Sequence, residues 1–155
     1  MQQIIGIGEY TISNNEQDSV KTFALSSCVA LTAYSPYRKV LGMVHIALPE
    51  TGIVTTCDLP GYYADTAVPL LVREMCTEYG CLIGELTFQL YGGAKSSFKR
   101  DVFKIGERNI QAVKAILASY FVKIEAEDTG GIYGRTIEAD VATGKTRIEY
   151  NAVIL

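Results

Sequence analysis

Apolar residues cluster in short runs over the first third of the chain, at 3–7, 10–13, 20–25, 28–34 and 40–48, with turn chemistry at Asn14-Asn15 and Ser35-Pro36 between them. Runs of this length, rich in Val, Ile, Thr and Tyr, predict β-strands joined by hairpins. The period then changes. Residues 64–79 put Ala67, Leu71 and Met75 on one stripe and stop at Gly80, and residues 107–120 put Ile110, Val113, Leu117 and Tyr120 on one face. Such spacing predicts two amphipathic helices, the first with Pro69 in its opening turns or at a kink. Strand pattern returns at 85–91, 123–128, 135–140 and 145–150, the last two separated by Val141-Ala142-Thr143-Gly144, a hairpin loop by composition.

Many strands that mostly meander, with two helices to cover them, predict an α/β layered sandwich. Its sheet is mixed and largely antiparallel, and the two main helices lie on one face. No repeat, low-complexity run or linker divides the 155 residues, so one domain over 1–155 is expected. With 48% hydrophobic residues the chain has enough apolar material for one core.

Charge removes several classes of function. There are 14 Lys+Arg against 17 Asp+Glu, a net charge of -3, so neither nucleic-acid binding nor a disordered acidic tail is expected. The uncharged stretch 22–37, broken by Ser26, Ser27, Ser35 and Pro36, is short of the ~18 to 20 apolar residues of a membrane span. The first residues lack the basic flank and apolar run of a secretory signal. A cytoplasmic protein with no membrane insertion is the expectation.

The four cysteines, Cys28, Cys57, Cys76 and Cys81, contain no C-x-x-C pair, and His45 is the one histidine. No metal site and no cofactor are expected from such spacing. Cys76 and Cys81 read as small hydrophobes in or near the core; Cys57 sits in a polar loop. Gly6-Ile7-Gly8-Glu9 lacks the third glycine of a dinucleotide fingerprint and precedes a strand. Gly144-Lys145-Thr146 lacks the earlier glycine of a phosphate-binding loop, since Ala139 stands there. Tyr91-Gly92-Gly93-Ala94 and Asp128-Thr129-Gly130-Gly131 read as diglycine turns.

One constellation carries chemistry: Thr22, Ser27, Cys28 and His45. A Ser35-Pro36-Tyr37-Arg38 turn pairs Tyr34 with Lys39 and sets Cys28 directly across from His45, with Cβ atoms ~4.5 to 5.5 Å apart on one face. In that register the imidazole can take the thiol proton and hold a thiolate–imidazolium pair. A register changed by one residue puts the two side chains on opposite faces, and a lone Cys and lone His on neighbouring strands also read as inert core residues. Thr22 is placed to orient the ring through its hydroxyl.

These residues and their surroundings resemble the chemoreceptor glutamine deamidase family of bacterial chemotaxis, CheD. The likeness runs through Ile5-Gly6-Ile7-Gly8-Glu9-Tyr10, the segment from Thr22 to Ala30 that holds Ser26-Ser27-Cys28, and Gly42-Met43-Val44-His45. It continues in Tyr63-Ala64-Asp65, Tyr91-Gly92-Gly93-Ala94, Ile105-Gly106-Glu107-Arg108-Asn109, Asp128-Thr129-Gly130-Gly131 and Gly134-Arg135. The resemblance implies a cysteine-dependent protein-glutamine glutaminase that converts glutamines of methyl-accepting chemotaxis receptors to glutamate and releases ammonia. It carries over Cys28 as nucleophile, His45 as general base and acid, and Thr22 as orienting residue. Ser26 and Ser27 then flank the pocket, with backbone N–H groups near Ser27 and Cys28 as oxyanion donors. A CheC-type phosphatase is the further partner it implies.

Two positions depart from the family pattern: Ser26 and Leu41 stand where glycine is usual, and both change the room around a glutamine side chain. The alternative is a binding protein with a weakened site that regulates the phosphatase or docks on receptors. For docking, Gly92 and Gly93 are candidate substrate-lining residues. Lys99 and Arg100 are candidate contacts within a basic run that also holds Lys95, Lys104 and Arg108 against Asp101 and Glu107.

Overall fold

A computed structural model describes residues 1–52, 57–95 and 103–152. In chain order the elements are β1 (Gln2–Ile5), β2 (Tyr10–Ser13), β3 (Ser19–Leu25), β4 (Val29–Ser35), β5 (Val40–Ile46), α1 (Ala64–Thr77), β6 (Thr87–Gly92), α2 (Ile105–Ser119), β7 (Ile124–Thr129), β8 (Tyr133–Asp140) and β9 (Thr146–Ala152). The strands form two sheets, β1-β3-β8-β9 and β2-β5-β4-β6-β7. Most neighbours are antiparallel; β1 with β3 and β6 with β7 are parallel. This is the expected α/β layered arrangement with mixed, largely antiparallel pairing.

Every residue of β4 and β5 is buried, because these central strands are covered on both faces. Val29, Leu31 and Ala33 of β4, with Val40, Val44 and Ile46 of β5, pack under Ala67, Leu71 and Met75 of α1 and Val113 and Leu117 of α2. The alternate residues, Ala30, Tyr34, Leu41 and Met43, turn to the other side and meet Val20, Leu25, Ile137 and Ala139 of the four-stranded sheet. Each aliphatic side chain withdrawn fully from water in these two layers contributes about 1.5 to 3 kcal/mol. Helices therefore cover one face of the larger sheet and the smaller sheet covers the other. No helix among the described residues is long and apolar enough to cross a membrane.

Two expectations change. The early strands are not a run of hairpins: β1 pairs with β3, and β2 pairs with β5 of the other sheet. Alternation shows that a strand has a buried face but not which strand lies beside it, so the split into two sheets was hidden. The β4–β5 hairpin also closes one residue later than expected, with Ser35 opposite Val40. Ser35 is wholly buried; its hydroxyl donates to Glu85 (3.2 Å) and accepts the Arg38 N–H (3.1 Å). Those bonds keep Ser35 in the ladder, and Lys39 closes the loop in the left-handed region at φ 54°.

Candidate active site

His45 and Thr22 come from different sheets and meet in the layer between them. His45 lies on β5 with its side chain on the face that looks toward the smaller sheet, and it is 2% exposed; Thr22 lies on β3 and is fully buried. The Thr22 Oγ1 to His45 Nδ1 distance is 2.7 Å. Thr22 also donates its hydroxyl hydrogen to the Ile5 carbonyl at 2.9 Å. A hydroxyl has one hydrogen, so the contact with His45 has one polarity left: Nδ1–H donates and Oγ1 accepts. The neutral ring thus carries its proton on Nδ1 and its lone pair on Nε2. Nε2 is buried and has no hydrogen-bond partner among the described residues.

The Gly6-Ile7-Gly8-Glu9 segment gains a purpose from this geometry. Gly8 N–H donates to the His45 carbonyl at 2.8 Å, and His45 N–H donates to the Glu9 carbonyl at 3.1 Å. The turn brackets the histidine backbone between two hydrogen bonds.

Cys28 stands at the mouth of β4, half-buried and packed against the interlayer cluster. The expected register set it directly across from His45, but Ala30 occupies that position, which follows from the later closure of the hairpin. Relative to the expected pairing the displacement is even, so Cys28 stays on the His45 face as its diagonal neighbour rather than its direct one.

Burial also changes the expected ionic pair. Desolvation pushes the Cys28 thiol up to about 11, against a smaller opposing pull from its own backbone N–H. Desolvation pushes His45 down to about 4. Both groups therefore rest neutral, a thiol and an imidazole whose Nε2 is unpartnered among the described residues, and not a preformed thiolate–imidazolium pair. Burial raises the Tyr62 phenol as well.

The backbone of the cysteine segment is held from behind by the two diglycine turns. Gly93 N–H donates to the Cys28 carbonyl (2.9 Å) and Ala94 N–H to the Ser26 carbonyl (2.7 Å). Gly92 has φ 102°, and a Cβ there would lie 2.3 Å from the Cys28 carbonyl oxygen; only glycine permits this approach. The second turn joins the first through Gly130 N–H to Gly92 O (2.9 Å) and Lys95 N–H to Gly131 O (2.7 Å). Arg135, 5% exposed, ties the assembly together. Its Nε donates to Asp128 (2.9 Å), Nη2 to Gly130 O (2.9 Å), and Nη1 to Tyr133 O (3.2 Å) and Gly92 O (3.4 Å).

Of the residues expected at the site, Thr22 and His45 bond across the interlayer and Cys28 packs against the same interlayer cluster. Ser26 is exposed and Ser27 half-buried, with both carbonyls engaged. Gly92 and Gly93 are buried behind the cysteine segment. Lys99 and Arg100 lie outside the described residues. Arg135 and Asn109 lie in the family-like segments Gly134-Arg135 and Ile105-Gly106-Glu107-Arg108-Asn109, yet the sequence assigns neither a role. Asn109 carried a readable signal: it shares the buried stripe of α2 with Gly106, Val113 and Leu117, where periodicity calls for an apolar side chain. A cavity of about 660 Å³ between Tyr34, Gln89, Tyr91 and Thr146 contains neither Cys28 nor His45.

A family profile for CheD chemotactic sensory transduction matches residues 47–150, which sets the chain among chemotaxis signalling proteins. The chain belongs to the CheD family. It is 46% identical over 149 residues to the probable chemoreceptor glutamine deamidase CheD of Syntrophotalea carbinolica, covering 94% of this chain and 91% of that one. It is 43% identical over 145 residues to the chemoreceptor glutamine deamidase CheD of Thermotoga maritima, covering 94% and 89%. Likeness to the probable chemoreceptor glutamine deamidase CheD of Pyrococcus abyssi is 40% over 146 residues, covering 93% and 88%.

Proposed function

We propose that this chain deamidates glutamine side chains of chemotaxis receptors, forming glutamate and releasing ammonia, with Cys28 as nucleophile, His45 as general base and then acid, and Thr22 as the residue that holds the imidazole. The relatives named as chemoreceptor glutamine deamidases support the reaction and the substrate class. The observation that carries the residue assignment is the Ile5–Thr22–His45 chain of hydrogen bonds. It leaves a lone pair on Nε2 and no partner for it.

The chemistry follows from neutral groups. As Cys28 Sγ attacks the carboxamide carbon, its proton passes to His45 Nε2, and the carbonyl oxygen becomes an oxyanion. The ring is then an imidazolium in a buried site, stabilised at Nδ1–H by the Thr22 oxygen. It returns the proton to the departing nitrogen, the C–N bond breaks, and ammonia leaves a thioester on Cys28. Water, deprotonated by the same Nε2, cleaves the thioester to glutamate and restores the thiol. Apo catalytic contacts commonly tighten only when substrate fills the gap between nucleophile and base.

Cytoplasmic location belongs to the same reading, since four cysteines without a disulfide fit a reducing compartment. So does binding to a CheC-type phosphatase at the receptor-facing surface, which co-migration of the purified pair on gel filtration tests.

Mass spectrometry of receptor peptides after incubation with wild-type protein or Cys28→Ala tests the central claim. Conversion of amide to acid by the wild type alone is expected. Receptor binding without conversion would leave a binding protein with a weakened site, and equal conversion by Cys28→Ala would remove the cysteine mechanism.

A further inference from the structure

We infer that Asn109, on α2, is a positioning residue that aims the Cys28 N–H at the oxyanion. The inference rests on the proposed deamidase reaction. The Asn109 side chain is fully buried, and its amide nitrogen donates twice, to the Ser27 carbonyl at 2.9 Å and to the Ala47 carbonyl at 3.0 Å. Two carbonyl acceptors fix which end of the amide is nitrogen. Its oxygen is left buried and without a partner among the described residues. An apolar side chain of the same size would fill this place on the α2 stripe without burying an unpaired acceptor. What the asparagine adds is the pair of N–H bonds.

Those bonds join the two catalytic segments. Ser27 precedes the nucleophile and Ala47 follows the strand that carries His45, so one amide group sets the position of one segment against the other. In a trans peptide the C=O and the next N–H point in opposite directions. With the Ser27 carbonyl drawn toward α2, the Cys28 N–H is turned away from α2. On its other side the segment is fixed by Gly93 N–H on the Cys28 carbonyl and Ala94 N–H on the Ser26 carbonyl. The Ser27–Cys28 peptide is thus held between bonded neighbours while its own N–H donates to no other described residue. A preset backbone donor of this kind costs no reorganisation as charge develops on the substrate oxygen.

The test separates oxyanion stabilisation from general integrity of the site. Asn109→Leu keeps the size and removes both donors; Asn109→Ala guards against overpacking at the branched carbon. Each is assayed for kcat and KM of receptor deamidation, for Cys28 alkylation by iodoacetamide, and for its melting transition. Alkylation displaces iodide at a saturated carbon and forms no oxyanion, so it reads the thiol alone. The expected result is a kcat lower by about 10- to 100-fold, set against the larger loss typical when an oxyanion donor is removed outright. KM and the alkylation rate should stay within about two-fold. Wild-type kcat in a folded variant overturns the inference. So does a parallel fall in deamidation and alkylation, or loss of cooperative melting in both variants, either of which makes Asn109 a structural residue. Failure of the wild-type protein to deamidate receptor is a different outcome, because it removes the proposed function itself.

Discussion

Thr22 and His45, from two different sheets, are joined by a 2.7 Å hydrogen bond whose direction is set by a third residue, Ile5. The sandwich therefore does more than bury apolar surface: closing its two sheets selects the imidazole tautomer. A base assembled in this way depends on the packing between layers as much as on the residues beside it.

Replacing Thr22 by Val keeps the strand and the side-chain shape but leaves His45 Nδ1–H without its partner and removes a donor to the Ile5 carbonyl. A solvent-facing strand threonine would tolerate this change; Thr22 is fully buried. An unpaired buried polar group costs about 1 to 3 kcal/mol, so the melting temperature should fall measurably. The deamidation kcat should fall by about 10-fold or more as the ring loses its preferred tautomer. Wild-type kcat in Thr22→Val, measured by ammonia release, would show that the hydroxyl does not orient the base.

The neutral pair makes stability depend on pH in two windows. His45 sits near 4 in the fold against 6.5 when free, so below pH 6.5 the unfolded chain gains a proton that the fold does not. The stabilisation is full above pH 6.5 and is lost as pH falls toward 4, by about 3 kcal/mol in all. Cys28 sits near 11 against 9.0, so the unfolded chain loses its proton first and stability falls again as pH rises from 9 toward 11. Urea midpoints across pH 4 to 7 should show a smaller acid-side decline in His45→Gln than in the wild type. Equal declines would mean that the imidazole is not held neutral by burial.

Sequence pattern made the elements legible because both periods are strong here. Of the seven residues on the two helical stripes, Ala67, Leu71, Met75, Val113 and Leu117 are buried against the larger sheet, and Ile110 and Tyr120 pack partly buried at its margin. Strand pairing was less legible, since β1 with β3 and β3 with β8 join segments whose order in the chain gives no hint of neighbourhood. The hairpin register departs from the expected one for one local reason, the burial of Ser35 beside Glu85. Thr22 and His45 could be proposed from chemistry, but the bond from Thr22 to Ile5 that fixes the tautomer is a tertiary fact. Asn109 bonds only backbone carbonyls and Arg135 bonds three of them besides Asp128, and contacts with backbone are announced by no side-chain motif.

Arg135→Met tests the support behind the nucleophile. The change removes the cation from Asp128 and leaves the Gly92, Gly130 and Tyr133 carbonyls short of a donor. Asp128 keeps some contact with solvent, so losing this charged donor costs about 1 to 3 kcal/mol, which for a chain of this size lowers the melting temperature by several °C. At temperatures where the variant remains folded, deamidation should still be slower, because the diglycine turns that grip the Ser26 and Cys28 carbonyls lose their tie. A variant that melts early but turns over normally when folded would confine Arg135 to stability.

Gly92→Ala strikes the same platform at its tightest point. The new methyl would stand 2.3 Å from the Cys28 carbonyl oxygen and 3.2 Å from the Val29 Cα, both backbone atoms, at a residue whose φ is 102°. Neither a rotamer change nor a flexible neighbour relieves such a contact, so β4 must move away from β6 or the turn must open. Either movement breaks the bond from Gly93 N–H to the Cys28 carbonyl and shifts the thiol relative to His45. Expected are a loss of stability of about 2 kcal/mol or more and deamidation below detection, with Cys28 more quickly alkylated as its surroundings loosen. By contrast, Gly130→Ala, where no atom lies within 4 Å of the added carbon, meets only backbone strain at φ 77° and should keep most of the activity. If the two alanine variants proved equally active, the close approach of Gly92 to the cysteine segment would have no part in holding the nucleophile.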